Sequence, residues 1–442
     1  MRPRNSRDRG HPLGLTELIA IAVGGMIGGG IFTVLGISVA LVGAWAPLAI
    51  GIGGAVAALA AYSYVQLGKY FMDEGATYSF FRRSFPGMPR AASAVGWWTI
   101  FGYISTLALY AYTFSSYALS ATDWASSEWA RKAVAWAVIW LFALINIWSV
   151  KGMGRIEDVM VYLKVLILLA ISGVLLSSGK AALPALIDQS PPLTLIGLLT
   201  VASVTFVAYE GFQLVINAVK EMNDPRRNMP RAIYSAMALV TLVYVLVAIG
   251  AVLAIPFADI IENKEYALAA GAEDVLGSWG ERFVVLGAVL ATMSAISGTL
   301  FGASRQMAKI ADDGFFPRFI RQRRGLVPVN AILAMALVAS FLILIGGLRM
   351  ILEFGSITFL VVSLLMAVAN YRLRDRTGSH VVMTWISMIT LAAGTVIIFW
   401  YEAKTDPAQV LFIAAIYVVL TLGALAYGRN ARARLKPAGP TP

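Results

Sequence analysis

The chain contains no cysteine. Disulfides and thiolate metal sites are therefore excluded, and with them a disulfide-linked accessory subunit. Only two histidines occur, His11 and His380. Neither has a partner at metal-ligand spacing, so both read as solvated side chains at or beyond helix ends. Charge is scarce as well. Of 442 residues, 13% are Asp, Glu, Lys or Arg, against roughly 25% in soluble globular chains. No phosphate-binding loop, hydrolase elbow or metal-ligand motif is present. Nothing points to ATP use, to a cofactor or to enzymatic catalysis.

What is abundant is uncharged apolar sequence, 59% of the residues being hydrophobic. The stretches 91–122, 133–150, 232–258, 283–304, 325–348, 354–371, 377–401 and 407–428 carry no charged residue. Each approaches or exceeds the roughly 20 residues needed to cross the hydrocarbon core. The stretch 15–66 holds one charge, Glu17, and divides at Trp45-Ala46-Pro47; 159–220 holds two more spans, divided near 177–192. The pattern predicts an all-α polytopic membrane protein with twelve helices: 15–41, 46–68, 92–120, 132–150, 157–177, 193–220, 230–256, 282–308, 327–346, 350–372, 380–401 and 408–427.

Basic residues mark alternate connections: Arg2, Arg4, Arg7 and Arg9; Lys69, Arg82, Arg83 and Arg90; Arg226, Arg227 and Arg231; Lys309, Arg318, Arg321, Arg323 and Arg324; Arg429, Arg432, Arg434 and Lys436. The intervening connections carry acids instead: Asp123 and Glu128, then Asp259, Glu262, Glu265, Glu273 and Asp274. Cytoplasmic loops carry the Lys/Arg excess, which places both termini in the cytoplasm; the membrane expected for the function below is the plasma membrane. The net charge of +11 is thus spread over membrane-flanking loops, and no nucleic-acid partner is expected. The first apolar block is too long for a signal peptide and lacks a cleavage site.

One span looks weakened at its centre. "AVGGMIGGGIF", 22–32, holds Gly24, Gly25, Gly28, Gly29 and Gly30, and glycine is about 1 kcal/mol worse than alanine in a helix. Close helix packing of the small-xxx-small kind is one reading. The other is a broken helix, tolerated at membrane depth only where it is buried in protein or lines a cavity. A second interruption, "FVAYEGFQ" at 206–213, lies in the sixth helix, at the matching place in a second set of five. Paired breaks of this kind expose N–H groups to an anionic substrate group and carbonyls to a cation.

"IGGGIF" at 27–32 with Gly36, "FVAYEGFQLVINAVKEMNDPRRNMPRAI" at 206–233 and "GASRQMAKIADDGFFPRF" at 302–319 resemble the first-helix, sixth-helix and eighth-helix signatures of the amino acid–polyamine–organocation transporters. That resemblance implies a leucine-transporter-type fold. Two inverted five-helix repeats, 15–177 and 193–372, would be followed by two further helices at 380–427, with tails 1–14 and 428–442. It implies that N–H groups around Gly28, Gly29 and Gly30 hold a substrate carboxylate. Carbonyls near Met26, Val207, Ala208 and Glu210 would take the α-ammonium. Phe206 and Tyr209 are either lids or aromatic packing; Tyr103 and Tyr110 are lesser candidates for the site and read better as core or interface filling. Gly29 and Ala208 leave room for a substrate side chain. The implied motion rocks helices 1, 2, 6 and 7 against 3, 4, 8 and 9.

Two ionisable residues lie inside spans. Lys164, in "VYLKVLILLA", either snorkels to the interface or, as the resemblance to proton-coupled members implies, stands where relatives bind sodium. There it would sit between helix 1 carbonyls and the hydroxyls of Ser294 and Ser297, loading and releasing a proton in each cycle. Glu210 departs from the common pattern. It would recognise a cationic side chain, relay protons, or act as a protonated structural acid. Gln213 is neutral where several members carry an acid; Glu221 reads as a structural partner of Arg226, Arg227 or Arg231. The function expected is amino acid transport by proton symport through alternating access. The alternatives are an antiporter for a cationic amino acid or polyamine and, further off, a channel or a sensor.

Overall fold

The structure is a computed structural model describing residues 13–148, 150–179, 183–262, 266–325 and 327–431. Arg2, Arg4, Arg7, Arg9, His11, Glu265, Arg432, Arg434 and Lys436, used above for orientation and metal binding, lie outside the described residues. Regular structure among the described residues is helical, with two isolated bridges, Leu13 to Met222 and Arg324 to Val327. In chain order the helices are α1 Leu15–Met26, α2 Gly30–Val42, α3 Ala46–Phe71, α4 Ala76–Ser84, α5 Pro89–Leu119, α6 Glu128–Trp148, α7 Val150–Ser178, α8 Leu183–Asp188 and α9 Leu195–Val204. A 3-10 turn, Thr205–Tyr209, separates α9 from α10, Leu214–Asn217. There follow α11 Pro225–Ala254, α12 Phe257–Glu262, α13 Ala267–Leu276, α14 Ser278–Asp312, α15 Val329–Ile345, α16 Leu348–Arg372, α17 Arg374–Thr377, α18 Val381–Thr405 and α19 Pro407–Ala431.

Local chemistry explains several starts. Prolines stand in the first turn of α3, α5 and α11, where a missing N–H has no helical acceptor to lose. Thr194 caps α9 by accepting a hydrogen bond from the Gly197 N–H at 3.0 Å, the usual way to satisfy a first-turn donor.

Ten helices among the described residues are long and apolar enough to cross a membrane, against the twelve expected. The expected first span is cut into α1 and α2, of 12 and 13 residues, and α15 has only 17. By length, α2 and α3 run together as one 42-residue stretch.

The helices wrap one apolar core. α5 is the most buried; it packs on α14, α16, α19 and α6, while α11 packs on α3, α7 and α1. α18 and α19 lie at the periphery with Ile389, Val396, Leu411 and Val419 exposed. Exposed leucine, isoleucine and valine along whole helices would be a liability in water and are ordinary against lipid. At one end of α16 the half-exposed Arg349 holds two buried acids, Glu353 at 2.6 Å and Glu402 at 3.5 Å, tying α16 to α18. At the other end Arg82 of α4 meets Asp313 at 2.7 Å, just beyond α14.

Candidate functional site

The two interruptions face each other. Residues 27–29 are non-helical between α1 and α2. Each break also needs a close approach that glycine allows. A Cβ on Gly28 would lie 2.6 Å from the Tyr110 ring and 2.7 Å from the Ala295 Cβ; one on Gly30 would lie 2.8 Å from the Ala208 Cα. Unwinding and tight packing, set against each other in the sequence, therefore coexist. Gly211, with φ +124°, puts its Cα against the Gly25 backbone, so the two breaks touch directly. The room predicted beside Gly29 is not there: Thr113 fills it, with its Oγ1 2.6 Å from where a Cβ would stand.

Hydrogen bonds engage several of the predicted binding atoms. The Gly28 N–H donates to Met26 O at 3.0 Å, and the Glu210 N–H donates to Val207 O at 3.1 Å. The first N–H groups of α2, starting at Gly30, have no acceptor within their own helix. The Tyr244 hydroxyl lies 2.8 Å from Met26 O and 3.0 Å from Ala208 O, bridging the two breaks with one proton. Tyr244 escaped the sequence reading. Its hydroxyl is one of several on an apolar helix, with Tyr234, Ser235 and Thr241, and nothing in the sequence sets it apart. Tyr110 is buried in the core, as core filling requires, and its hydroxyl also donates to Gly25 O at 3.0 Å. Phe206 is buried. Tyr209 is anchored through its hydroxyl to Ile50 O at 2.8 Å and packs against Tyr244 with ring centres 5.2 Å apart.

Lys164 does not snorkel. It is fully buried, and its ammonium donates to Gly24 O at 3.0 Å, Ile27 O at 2.5 Å and Ser294 Oγ at 3.3 Å. The contact is possible because Gly24 lets α7 approach: a Cβ there would lie 3.1 Å from Val161. Ser297, one turn beyond Ser294, accepts a hydrogen bond from Asn146 Nδ2 at 3.4 Å. Glu210 is buried as well. Its Oε1 accepts from Gln213 Nε2, and its Oε2 has no hydrogen-bond partner among the described residues.

Removing the Tyr244 hydroxyl tests the bridge. Tyr244→Phe keeps the ring and is expected to cost about 1 kcal/mol, read as a lower melting temperature of the purified protein. Tyr234→Phe on the same helix, at a more exposed ring, leaves it unchanged.

An all-helical, lipid-facing bundle built around two apposed breaks, with a caged ammonium beside them, is the architecture of a multi-pass carrier. The chain belongs to the amino acid permease family, whose model matches residues 13–423, and a leucine-transporter-like fold follows from that membership. It is 28% identical over 403 residues to the inner membrane transport protein YbaT of Escherichia coli, covering 89% of this chain and 91% of that one. It is 24% identical to the cationic amino acid transporter 7, chloroplastic, of Arabidopsis thaliana, covering 90% of this chain and 72% of the other. Identity to the Asc-type amino acid transporter 1 of Mus musculus is 26%, over 78% of this chain and 67% of that protein.

Proposed function

We propose that this permease carries an amino acid by alternating access and couples the movement to protons. The observation that carries the coupling is the Lys164 ammonium seated on the carbonyls of the first break. A cation in that cage neutralises the partial negative charge where α1 ends. Here the cation is tethered to α7, so its proton is what exchanges with solution. Protonated, it ties α7 and α14 to α1; deprotonated, it releases Gly24 and Ile27. The α-carboxylate is assigned to the N–H groups of Gly29 and Gly30, since that of Gly28 already serves Met26. The α-ammonium is assigned to the carbonyls of Met26, Val207, Ala208 and Glu210, with the Tyr244 hydroxyl moving aside.

The flanking organisation belongs to the same proposal. Segments 15–177 and 193–372 are two inverted repeats, and 380–427 adds two peripheral helices. Both termini are cytoplasmic, in the plasma membrane. The relatives named as amino acid transporters support the substrate class.

The test is uptake into proteoliposomes without sodium. With the outside one pH unit more acidic, a symporter of one proton per amino acid accumulates substrate up to about tenfold, since one unit is worth about 1.4 kcal/mol. Collapsing the gradient with a protonophore abolishes the accumulation. Uptake indifferent to the gradient and dependent on internal amino acid would replace symport with exchange.

One observation favours that second reading. The unpartnered Oε2 of Glu210 is a counter-charge for a cationic side chain. If it serves that end, arginine or a polyamine outcompetes neutral amino acids, and Glu210→Gln reverses the preference.

A further inference from the structure

A groove of about 550 Å³ opens on the outer surface away from the two breaks, between α5, α6, α14 and α15. Trp97, Trp140, Phe319, Leu333, Leu337 and Val338 are among its walls. The polar atoms of its two tryptophans are turned inward. The Trp97 indole donates to Phe315 O at 2.7 Å, and that of Trp140 donates to Ser340 Oγ at 3.1 Å. Asn330, at the same wall, is spent on Phe319 O and Gln322 Oε1. What faces the groove is therefore hydrocarbon and ring faces, and its occupant is a hydrocarbon chain.

Exposed arginines flank the groove's lining residues at one end. A 3-10 turn, Arg318–Arg321, closes it, and the lining pair Phe319 and Ile320 lies between two exposed arginines. The nearest acids are occupied: Asp312 by Arg323 at 2.7 Å, and Asp313 by Arg82 at 2.7 Å and Lys309 at 3.3 Å. Among the described residues no carboxylate pairs with Arg318, Arg321 or Arg324. An apolar trench whose lining pair Phe319 and Ile320 is flanked along the chain by exposed arginines, which pair with no described carboxylate, matches a molecule with a long chain and an anionic head. A second copy of this chain fits less well. A two-fold axis along the membrane normal would bring two such arginine clusters to the same level.

We propose that the groove is a binding site for an anionic phospholipid, one acyl chain lying against α15 and the phosphate resting on Arg318 and Arg321. The site depends on the chain's membrane placement and not on the coupling assigned to Lys164.

The experiment is native mass spectrometry of the full-length protein in mild detergent, titrated separately with phosphatidylglycerol and phosphatidylcholine of identical chains. Each arginine at the surface contributes about fivefold in affinity, so the first phosphatidylglycerol is expected to bind roughly 25-fold more tightly than phosphatidylcholine. Arg318→Gln with Arg321→Gln brings the two affinities together without touching the core. Val338→Trp, which fills the groove, weakens both lipids. Equal affinities in the unmodified protein overturn the proposal. So does a preference that survives the double substitution, or a dimer that binds no lipid. Displacement of bound lipid by glycerol 3-phosphate alone also overturns it, because that ligand needs the arginines but no groove.

Discussion

Lys164→Ala is expected to abolish accumulation driven by a pH gradient while leaving a folded protein. The balance of energies sets the second half of that expectation. Three hydrogen bonds from a charged donor disappear, at about 1.5–3 kcal/mol each. Against this, the ammonium no longer has to be held at membrane depth, a burden of about 2.5–3.5 kcal/mol. The net loss is a few kcal/mol, which lowers the melting temperature without unfolding the bundle. The functional effect is larger. Without the amine no proton is bound at the first break, and the gradient has nothing to act on. Counterflow, in which labelled substrate enters against unlabelled substrate inside, needs only the substrate site and is expected to persist. Accumulation equal to that of the unmodified protein would remove Lys164 from the coupling. Loss of both activities in a protein that is still folded would make it a structural prop of the first break. Lys164→Gln adds a control, because it keeps a donor beside the Gly24 and Ile27 carbonyls but no exchangeable charge.

How far these features could be read from the sequence depends on the physics behind each. Hydropathy located the apolar middles of the spans well and their ends poorly. The uncharged block 283–304 lies within α14, which runs from Ser278 to Asp312. Glu281, Arg282, Lys309 and Asp312 are charged yet helical, because a helix continues past the hydrocarbon where its charges meet water. The amphipathic α4 and the short α8, α12 and α13 were not foreseen; none is apolar or long enough to stand out. That the Lys164 ammonium lies beside Ser294 is what the resemblance to proton-coupled members implies; the apolar run by itself is equally compatible with snorkelling. The reach of Tyr244 across both breaks was invisible. Nothing about a tyrosine within α11 says that Met26 and Ala208, 218 and 36 residues away, converge on its hydroxyl. The pairing of Leu13 with Glu221 and Asn223, which joins the residues just before α1 to the end of the sixth span, is equally non-local.

Gly211→Ala is expected to have the other large effect, and it probes the contact between the breaks. Two costs add. At φ +124° an L-residue is strained by about 1–3 kcal/mol. The new methyl would also stand 2.6 Å from the Gly25 carbonyl oxygen. That neighbour is backbone, so it has no rotamer into which to retreat. The strain and the unyielding backbone contact together put the loss at or above the upper end, about 3 kcal/mol, of the usual range for a single substitution. Gly25 O is the acceptor of the Tyr110 hydroxyl, so displacing it disturbs the first break as well, and uptake is lost even in molecules that remain folded. Gly173→Ala supplies the comparison. Gly173 lies inside α7 with nothing within 4 Å of its would-be Cβ, and alanine there stabilises a helix by about 0.5–1 kcal/mol. Thermal unfolding of the two variants in one detergent should move in opposite directions. Were Gly211→Ala to melt with the unmodified protein and transport normally, the breaks would not be in contact, and the shared centre between α1 and α10 on which the carrier reading stands would be lost.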